Sequence, residues 1–194
     1  MDKQKVTLLL LLDLSAAFDT VSHAILIQRL RDRVGIRHEA LDWFISYLSG
    51  RKQCVGINGT NSESIKLMFG VPQGSVLGPI LFLIYTLPLA EILRNYGVEF
   101  HFYADDTQIY MSFVPTVVEA ELTTDLLSDC VKEIKKWMTQ NMLQLNSDKT
   151  EIILFGTPQQ LSKVDDFTFN SSGDTIELKP AWAHKHTEVC KLSF

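Results

Sequence analysis

Two aspartates, Asp105 and Asp106, stand side by side in VEFHFYADDTQIYMSF (98–113), directly after an apolar, aromatic run that reads as a buried strand. A buried ionised carboxylate is costly without a cation beside it, and adjacent carboxylates also repel each other. The pair therefore sits either in a solvated turn or around a metal ion. A third acid, Asp13, closes another apolar run, Val6 to Leu12. If strands at Glu99 to Ala104 and Thr107 to Phe113 flank the pair, it falls at a hairpin turn. If both strands are neighbours of the first run in one sheet, all three carboxylates meet at one edge of it. Such an oxygen-only set suits hard divalent cations, magnesium above all, which binds through a few carboxylates together with substrate phosphates. Two such ions about 3.5–4 Å apart stabilise both the attacking and the leaving oxygen of a phosphoryl or nucleotidyl transfer. Taken singly, Asp105-Asp106 reads as a solvated turn and Asp13 as a cap for the turn after its strand.

The elements that must position these acids are legible from apolar spacing. Val6 to Leu12 is continuous enough to read as a central strand covered on both faces. Ser22 is placed to cap a helix from His23 to about Val34, with Ile25, Leu26, Leu30 and Val34 at helical spacing and Gly35 beyond its end. A second helix is expected from His38 to Leu48, and QCVGI and SIKLMF read as two short strands joined by the polar loop NGTNSE. A Gly/Pro-rich entry, GVPQGSVLGP, leads into an apolar helix ending near Asn95 and Gly97. A long amphipathic helix follows the acidic hairpin, from about Val117 to Asn141, with Leu122, Leu126, Leu127, Val131, Ile134 and Met138 as its stripe. TEIILFG is a further strand. FNSSGDTIEL reads as a small hairpin, and the tail after it has no period.

The 194 residues, 46% hydrophobic and 10% aromatic, are enough for one substantial core. The net charge of -5 is spread as 10 basic against 11 acidic residues up to residue 110 and 8 against 12 beyond it, so neither half offers a general basic surface for a polyanion. Cys54, Cys130 and Cys190 are far apart and odd in number, which indicates neither a zinc site nor a disulfide framework and fits a reducing compartment. MDKQKVTLLLLLDLSAAF imitates a secretory leader, but Asp13 interrupts its apolar run. VLGPILFLIYTLPLAEIL is broken by Gly78, Pro79, Pro88 and Glu91, so no membrane span is expected. The chain is expected to stay inside the cell, whether in nucleus or cytoplasm.

LDLSAAFDTVSH, GVPQGSVLGPILF and FYADD, in that order, resemble motifs A, B and C in the palm of reverse transcriptases encoded by non-LTR (LINE-type) retrotransposons. NMLQLNSDKTEIILFG resembles their motif D, and the resemblance runs from Val6 to Gly156. It implies an α+β polymerase palm over residues 1–156, an antiparallel sheet with helices packed on one face, followed by a divergent segment over 157–194. It implies an RNA-directed DNA polymerase working on an RNA template, a DNA primer and deoxynucleotides with two magnesium ions, manganese being a possible substitute. Asp13 and Asp105 would bridge the metals, Asp106 would complete the acidic cluster, and Leu14 would add its backbone carbonyl. Phe18, five residues after Asp13, falls where the family excludes a sugar 2'-hydroxyl; its other reading is core packing. Gln73 and Gly74 match positions near the template and incoming nucleotide, although VPQGS also reads simply as a Gly/Pro-rich loop before a helix. Lys149 matches the lysine that protonates or steadies the departing pyrophosphate; a lysine before a strand is otherwise a solvated one. Asp19 is assigned to ordering the turn after motif A and His23 to the helix start, neither to catalysis.

The same resemblance implies parts that these residues do not display: fingers motifs before motif A, a primer-gripping hairpin, a helical thumb and an endonuclease. Additional protein is accordingly expected as a partner, and little or no polymerisation by the chain alone. AWAHKHTEVCKLSF matches nothing in the family pattern. Two other readings stand beside the polymerase: a catalytically silent palm that binds a metal or a protein, and a small secreted binding domain using the Asn58-Gly59-Thr60 and Asn170-Ser171-Ser172 sequons.

Overall fold

The computed structural model describes residues 5–146 and 149–164 and, beyond them, the strand residues 168–171, 174–177, 181–182 and 190–191. Strand β1 (Val6–Leu12) leads into helix α1 (His23–Arg29), which a π-helical turn (Leu30–Val34) prolongs to Gly35, and then α2 (His38–Leu48). Four two-residue strands follow, β2 (Lys52–Gln53), β3 (Gly56–Ile57), β4 (Thr60–Asn61) and β5 (Ile65–Lys66), then α3 (Gly78–Asn95). Next come β6 (Glu99–Tyr103), β7 (Asp106–Phe113), α4 (Val117–Gln140), β8 (Glu151–Gly156) and the short α5 (Pro158–Leu161). The last described strands are β9 (Thr168–Ser171), β10 (Asp174–Glu177), β11 (Ala181–Trp182) and β12 (Cys190–Lys191).

The main sheet has the order β11-β8-β1-β7-β6, with β12 also paired to β8. β1 is central and antiparallel to both neighbours, Leu12 opposite Thr107 and Leu8 opposite Leu154, whereas β11 runs parallel to β8. Because side chains alternate along a strand, Leu8, Leu10 and Leu12 share one face with Ile109, Phe113, Ile152 and Leu154, all buried. Phe82, Tyr85, Leu89 and Leu93 of α3 and Leu127, Val131, Ile134 and Met138 of α4 complete that core. Each large side chain so buried contributes roughly 1.5–3 kcal/mol relative to exposure. β1 departs from the expectation of a strand covered on both faces: Leu9 and Leu11 are only half-buried. On that open face the Thr7 and Ser112 hydroxyls are hydrogen-bonded at 2.8 Å. An apolar run alone does not distinguish full burial from a half-covered surface.

Helix ends show the same mixture. Thr116 caps α4 by accepting a hydrogen bond from the Glu119 N–H at 3.3 Å. Ser22 occupies the expected cap position with extended backbone, but its side chain makes no capping bond. Instead its N–H donates to the Tyr85 hydroxyl at 3.4 Å, which in turn donates to the Asn141 carbonyl at 2.6 Å. Arg29 is buried beside this pair, its guanidinium 4.6 Å from the Tyr85 ring centre and 5.3 Å from that of Trp137, and it donates to the Asn141 side chain. Burial lowers its pKa from the usual arginine value. These contacts join α1, α3 and α4 beneath the sheet. In the α4 stripe Leu126 is half-buried and Leu127, Val131, Ile134 and Met138 are buried, whereas Leu122 is 60% exposed. Among the described residues no helix is long and apolar enough to cross a membrane.

Candidate active site

Asp13 follows directly on β1, and its backbone is held there by the segment that follows α4. A bridge between Leu14 and Leu145 forms as Ser15 N–H donates to the Gln144 carbonyl and Asn146 N–H to the Asp13 carbonyl, both at 2.9 Å. Neither bond uses the Leu14 carbonyl. Across β7, Leu12 faces Thr107, while Tyr103 pairs with Asp106, so Ala104 and Asp105 form the turn of the β6–β7 hairpin. The register thus brings Asp13, Asp105 and Asp106 to one edge of the sheet. Ala104 closes the turn at φ 54°, in the left-handed region that an L-residue enters only at a cost.

Lys149 approaches from the strand β8 side and places Nζ 3.4 Å from Asp13 Oδ2. Its preceding turn is fixed by the Lys149 N–H to Asn146 carbonyl bond at 3.2 Å and by buried Thr150, whose hydroxyl donates to the same carbonyl at 2.8 Å. Ser147 and Asp148 of that motif lie outside the described residues. With the lysine side chain 67% exposed and the aspartate 24%, this pair is worth at most about 1 kcal/mol.

Beside the acidic edge lies a cleft of about 500 Å³, whose walls include Leu14, Phe18, Gln73, Gly74, Ser75 and Asp105. Phe18 is half-buried, its ring 5.1 Å from that of Phe82, so one side packs on the core while another walls the cleft. Ala16, also in the wall, adopts φ 49° and accepts the Asp19 N–H at 2.9 Å, which turns the chain sharply after Leu14. Opposite, Ser75 donates to the Pro72 carbonyl at 2.7 Å and accepts the Gly78 N–H at 3.0 Å, folding the loop onto the start of α3.

The two walls are fastened to each other. Gly70 N–H donates to the Val21 carbonyl and Val71 N–H to the Phe18 carbonyl, both at 2.8 Å. The Gly70 carbonyl accepts from His23 Nε2 at 2.8 Å, which fixes that tautomer, and from Arg51 at 2.9 Å. Gly70 has φ 87°, and a Cβ there would lie 3.1 Å from the Asp19 carbonyl oxygen. Gln73 Nε2 donates to both carboxylate oxygens of Asp19, at 3.2 Å each. His23 therefore does more than begin a helix, and Asp19 reaches across the cleft rim.

The oxygen donors suit divalent cations in kind and in location. Their side chains are not already gathered: among the described residues no three acidic, histidine or cysteine side chains form a group able to hold a metal ion. A cation would have to draw the carboxylates together from backbones that the register already places side by side.

Comparison with known proteins decides the family. The family model for reverse transcriptase (RNA-dependent DNA polymerase) matches residues 1–188. The chain belongs to the reverse transcriptase family. Among relatives, the RNA-directed DNA polymerase from mobile element jockey of Drosophila funebris is 30% identical over 149 residues, covering 74% of this chain and 16% of the relative. The probable RNA-directed DNA polymerase from transposon X-element of Drosophila melanogaster is 28% identical over 149 residues, covering 75% of this chain and again 16% of the relative. This reverse transcriptase chain thus spans about a sixth of the length of these curated relatives. In fold it is similar to apo telomerase from Candida tropicalis, truncated from the C-terminal domain, at a TM-score of 0.57 and 13% identity over 96% of this chain and 35% of the other. Telomerase from Candida albicans in complex with the TWJ fragment of telomeric RNA gives 0.56 at 13% identity, over 96% and 30%. The α+β sheet with its helices is therefore that of a polymerase palm.

The Asp19–Gln73 contact, the Gly70 carbonyl as a shared acceptor and the left-handed alanines Ala16 and Ala104 are not among the expectations drawn from the sequence. A signal existed for one of these: a glycine directly before VPQG marks a place where backbone comes close to backbone.

Proposed function

We propose that this chain is the catalytic palm of an RNA-directed DNA polymerase, joining a deoxynucleotide to a primer on an RNA template. The observation that carries this reading is the strand register that sets Asp13 beside the Ala104-Asp105 turn, at the mouth of the cleft walled by Phe18, Gln73 and Gly74. In the reaction a primer 3'-hydroxyl oxygen forms a bond to the α-phosphorus, and the bond from that phosphorus to pyrophosphate breaks. Asp13, Asp105, Asp106 and the Leu14 carbonyl hold two divalent cations, magnesium or manganese. Bound there, the ions supply the positive charge that stabilises the attacking and leaving oxygens. Phe18 stands beneath the sugar and leaves no room for a 2'-hydroxyl. Gly74, at φ 73° with open space around it, lets its backbone approach the nucleotide, and Gln73 offers polar contact beside it. The hydroxyl proton passes to water, and Lys149, next to Asp13, gives a proton or its charge to the departing pyrophosphate. RNA template, DNA primer and further protein are the partners this reading implies.

RNA-templated primer extension tests it, run with the chain alone and with the chain replacing the corresponding segment of a full-length relative. Magnesium-dependent DNA synthesis that Asp13→Asn abolishes is expected of the full-length protein, and little or none of the chain alone. Synthesis undiminished by Asp13→Asn would overturn the reading.

A further inference from the structure

Gln73 lies in the cleft wall while Asp19 does not, yet the Gln73 amide nitrogen is shared equally between the two Asp19 oxygens at 3.2 Å. A glutamine amide carries a donor end and an acceptor end of nearly the same shape, and only its neighbours decide which way it points. Turned over, this amide would press its carbonyl oxygen against a carboxylate, which is repulsive. Asp19 therefore admits one orientation: NH2 on the carboxylate and Oε1 free on the other side. Both side chains are exposed, but the backbone that carries Asp19 is firmly held. Its N–H is bonded to the Ala16 carbonyl at 2.9 Å. Its backbone lies against Gly70, 3.1 Å from where a Cβ would stand, and the adjacent Phe18 carbonyl takes the Val71 N–H at 2.8 Å.

Resting on the polymerase reading above, we propose that Asp19 is a positioning residue that orients the Gln73 amide so that its Oε1 faces the cleft as a fixed hydrogen-bond acceptor. The group it serves is a hydrogen-bond donor on the nucleotide occupying the cleft. Asp19 touches no reacting atom, and its contribution falls on nucleotide binding rather than on the chemical step.

Two measurements test this, one of them independent of activity. In the isolated chain, the side-chain amide resonance of Gln73, assigned by its disappearance in Gln73→Ala, should lie away from that of free glutamine. Asp19→Ala should move it to the free value; the backbone amide spectrum shows that each variant is folded. In magnesium-dependent primer extension by the full-length relative carrying this segment, Asp19→Ala should raise the deoxynucleotide KM about three- to tenfold, the weight of one ordinary hydrogen bond, with kcat changed less than about twofold. Asp19→Asn, whose amide donates as well as accepts and so tolerates either orientation of Gln73, should raise KM as well. A Gln73 resonance indifferent to Asp19→Ala, a KM in Asp19→Asn equal to that of the unsubstituted protein, or a loss confined to kcat would each overturn the proposal. Absence of any extension by the full-length relative carrying the unsubstituted segment would strike the polymerase reading instead and leave the spectrum to decide the role of Asp19.

Discussion

Replacing Gly70 by alanine measures how tightly the two walls of the cleft are joined. The backbone there has φ 87°, and an added Cβ would meet the Asp19 carbonyl oxygen at 3.1 Å, Asp19 Cα at 3.3 Å and the Phe18 carbonyl oxygen at 3.4 Å. All three are main-chain atoms that cannot rotate away. A left-handed backbone costs an L-residue about 1–2 kcal/mol, and forcing extra volume into a packed place costs typically about 1–3 kcal/mol. Against this, alanine restricts the unfolded chain and returns about 0.4–1 kcal/mol. The balance is a loss of about 2–3 kcal/mol. Gly35 supplies the control, since at φ 83° it has the same backbone demand but nothing within 4 Å of its Cβ position. Gly35→Ala should therefore cost only about 1 kcal/mol or less. Equilibrium urea denaturation of both variants beside the unsubstituted chain gives the difference, because a change in midpoint at constant slope is a change in stability. Equal losses at Gly70 and Gly35 would show that the close approach between the Phe18-Asp19 and Gly70-Val71 segments is not part of what stabilises the fold.

Two further outcomes follow from other parts of the molecule. Ala104, at φ 54° in the turn before Asp105, should gain about 0.5–1 kcal/mol on conversion to glycine, whereas Ala104→Val should lose at least about 1 kcal/mol, both read by urea denaturation. Burial, reinforced by nearby Glu133, pushes the Cys130 thiol up to about 12 from its ordinary value of 9.0. Below pH 9 both folded and unfolded states keep that proton; above it only the unfolded chain releases it, so stability should fall as pH rises from about 9 towards 12. Cys130→Ala should flatten that part of a stability-against-pH curve, and an unchanged slope would count against a buried neutral thiol.

Much of the fold is written in local pattern. Val6–Leu12, Glu99–Tyr103 and Asp106–Phe113 stand out as strands because apolar runs of that length have few other uses, and the acidic pair between the last two marks a turn. The 51–67 region was less legible. Two strands around a polar loop are instead two nested hairpins, Lys52 facing Lys66 and Ile57 facing Thr60. Asn58 and Gly59 take φ 49° and 83° between them, and Asn-Gly is a strong signal for a tight hairpin, so this feature is present in the local sequence. Leu122 shows the opposite failure: helical spacing places it in the stripe, but nothing in spacing tells how far along α4 the covering elements extend. The contacts of Asp19, His23 and Arg51 with the 70–73 segment lie between residues 19–54 positions apart, and no local pattern reports them. They become visible only when the first strand and the α3 entry are packed together.

On the polymerase reading proposed above, Asp13, Asp105 and Asp106, brought to one edge by the β1–β7 and β6–β7 pairings, act as a single cation-binding unit. Thermal denaturation against manganese or magnesium concentration tests it most directly. A cation that binds only the folded chain stabilises it by mass action, about 2.7 kcal/mol at a hundred times its dissociation constant. The unsubstituted chain should melt at rising temperature as metal is added, and both Asp13→Asn and the Asp105→Asn, Asp106→Asn double variant should remain folded and lose that rise. An equal rise in all three proteins would place the metal elsewhere and contradict the account.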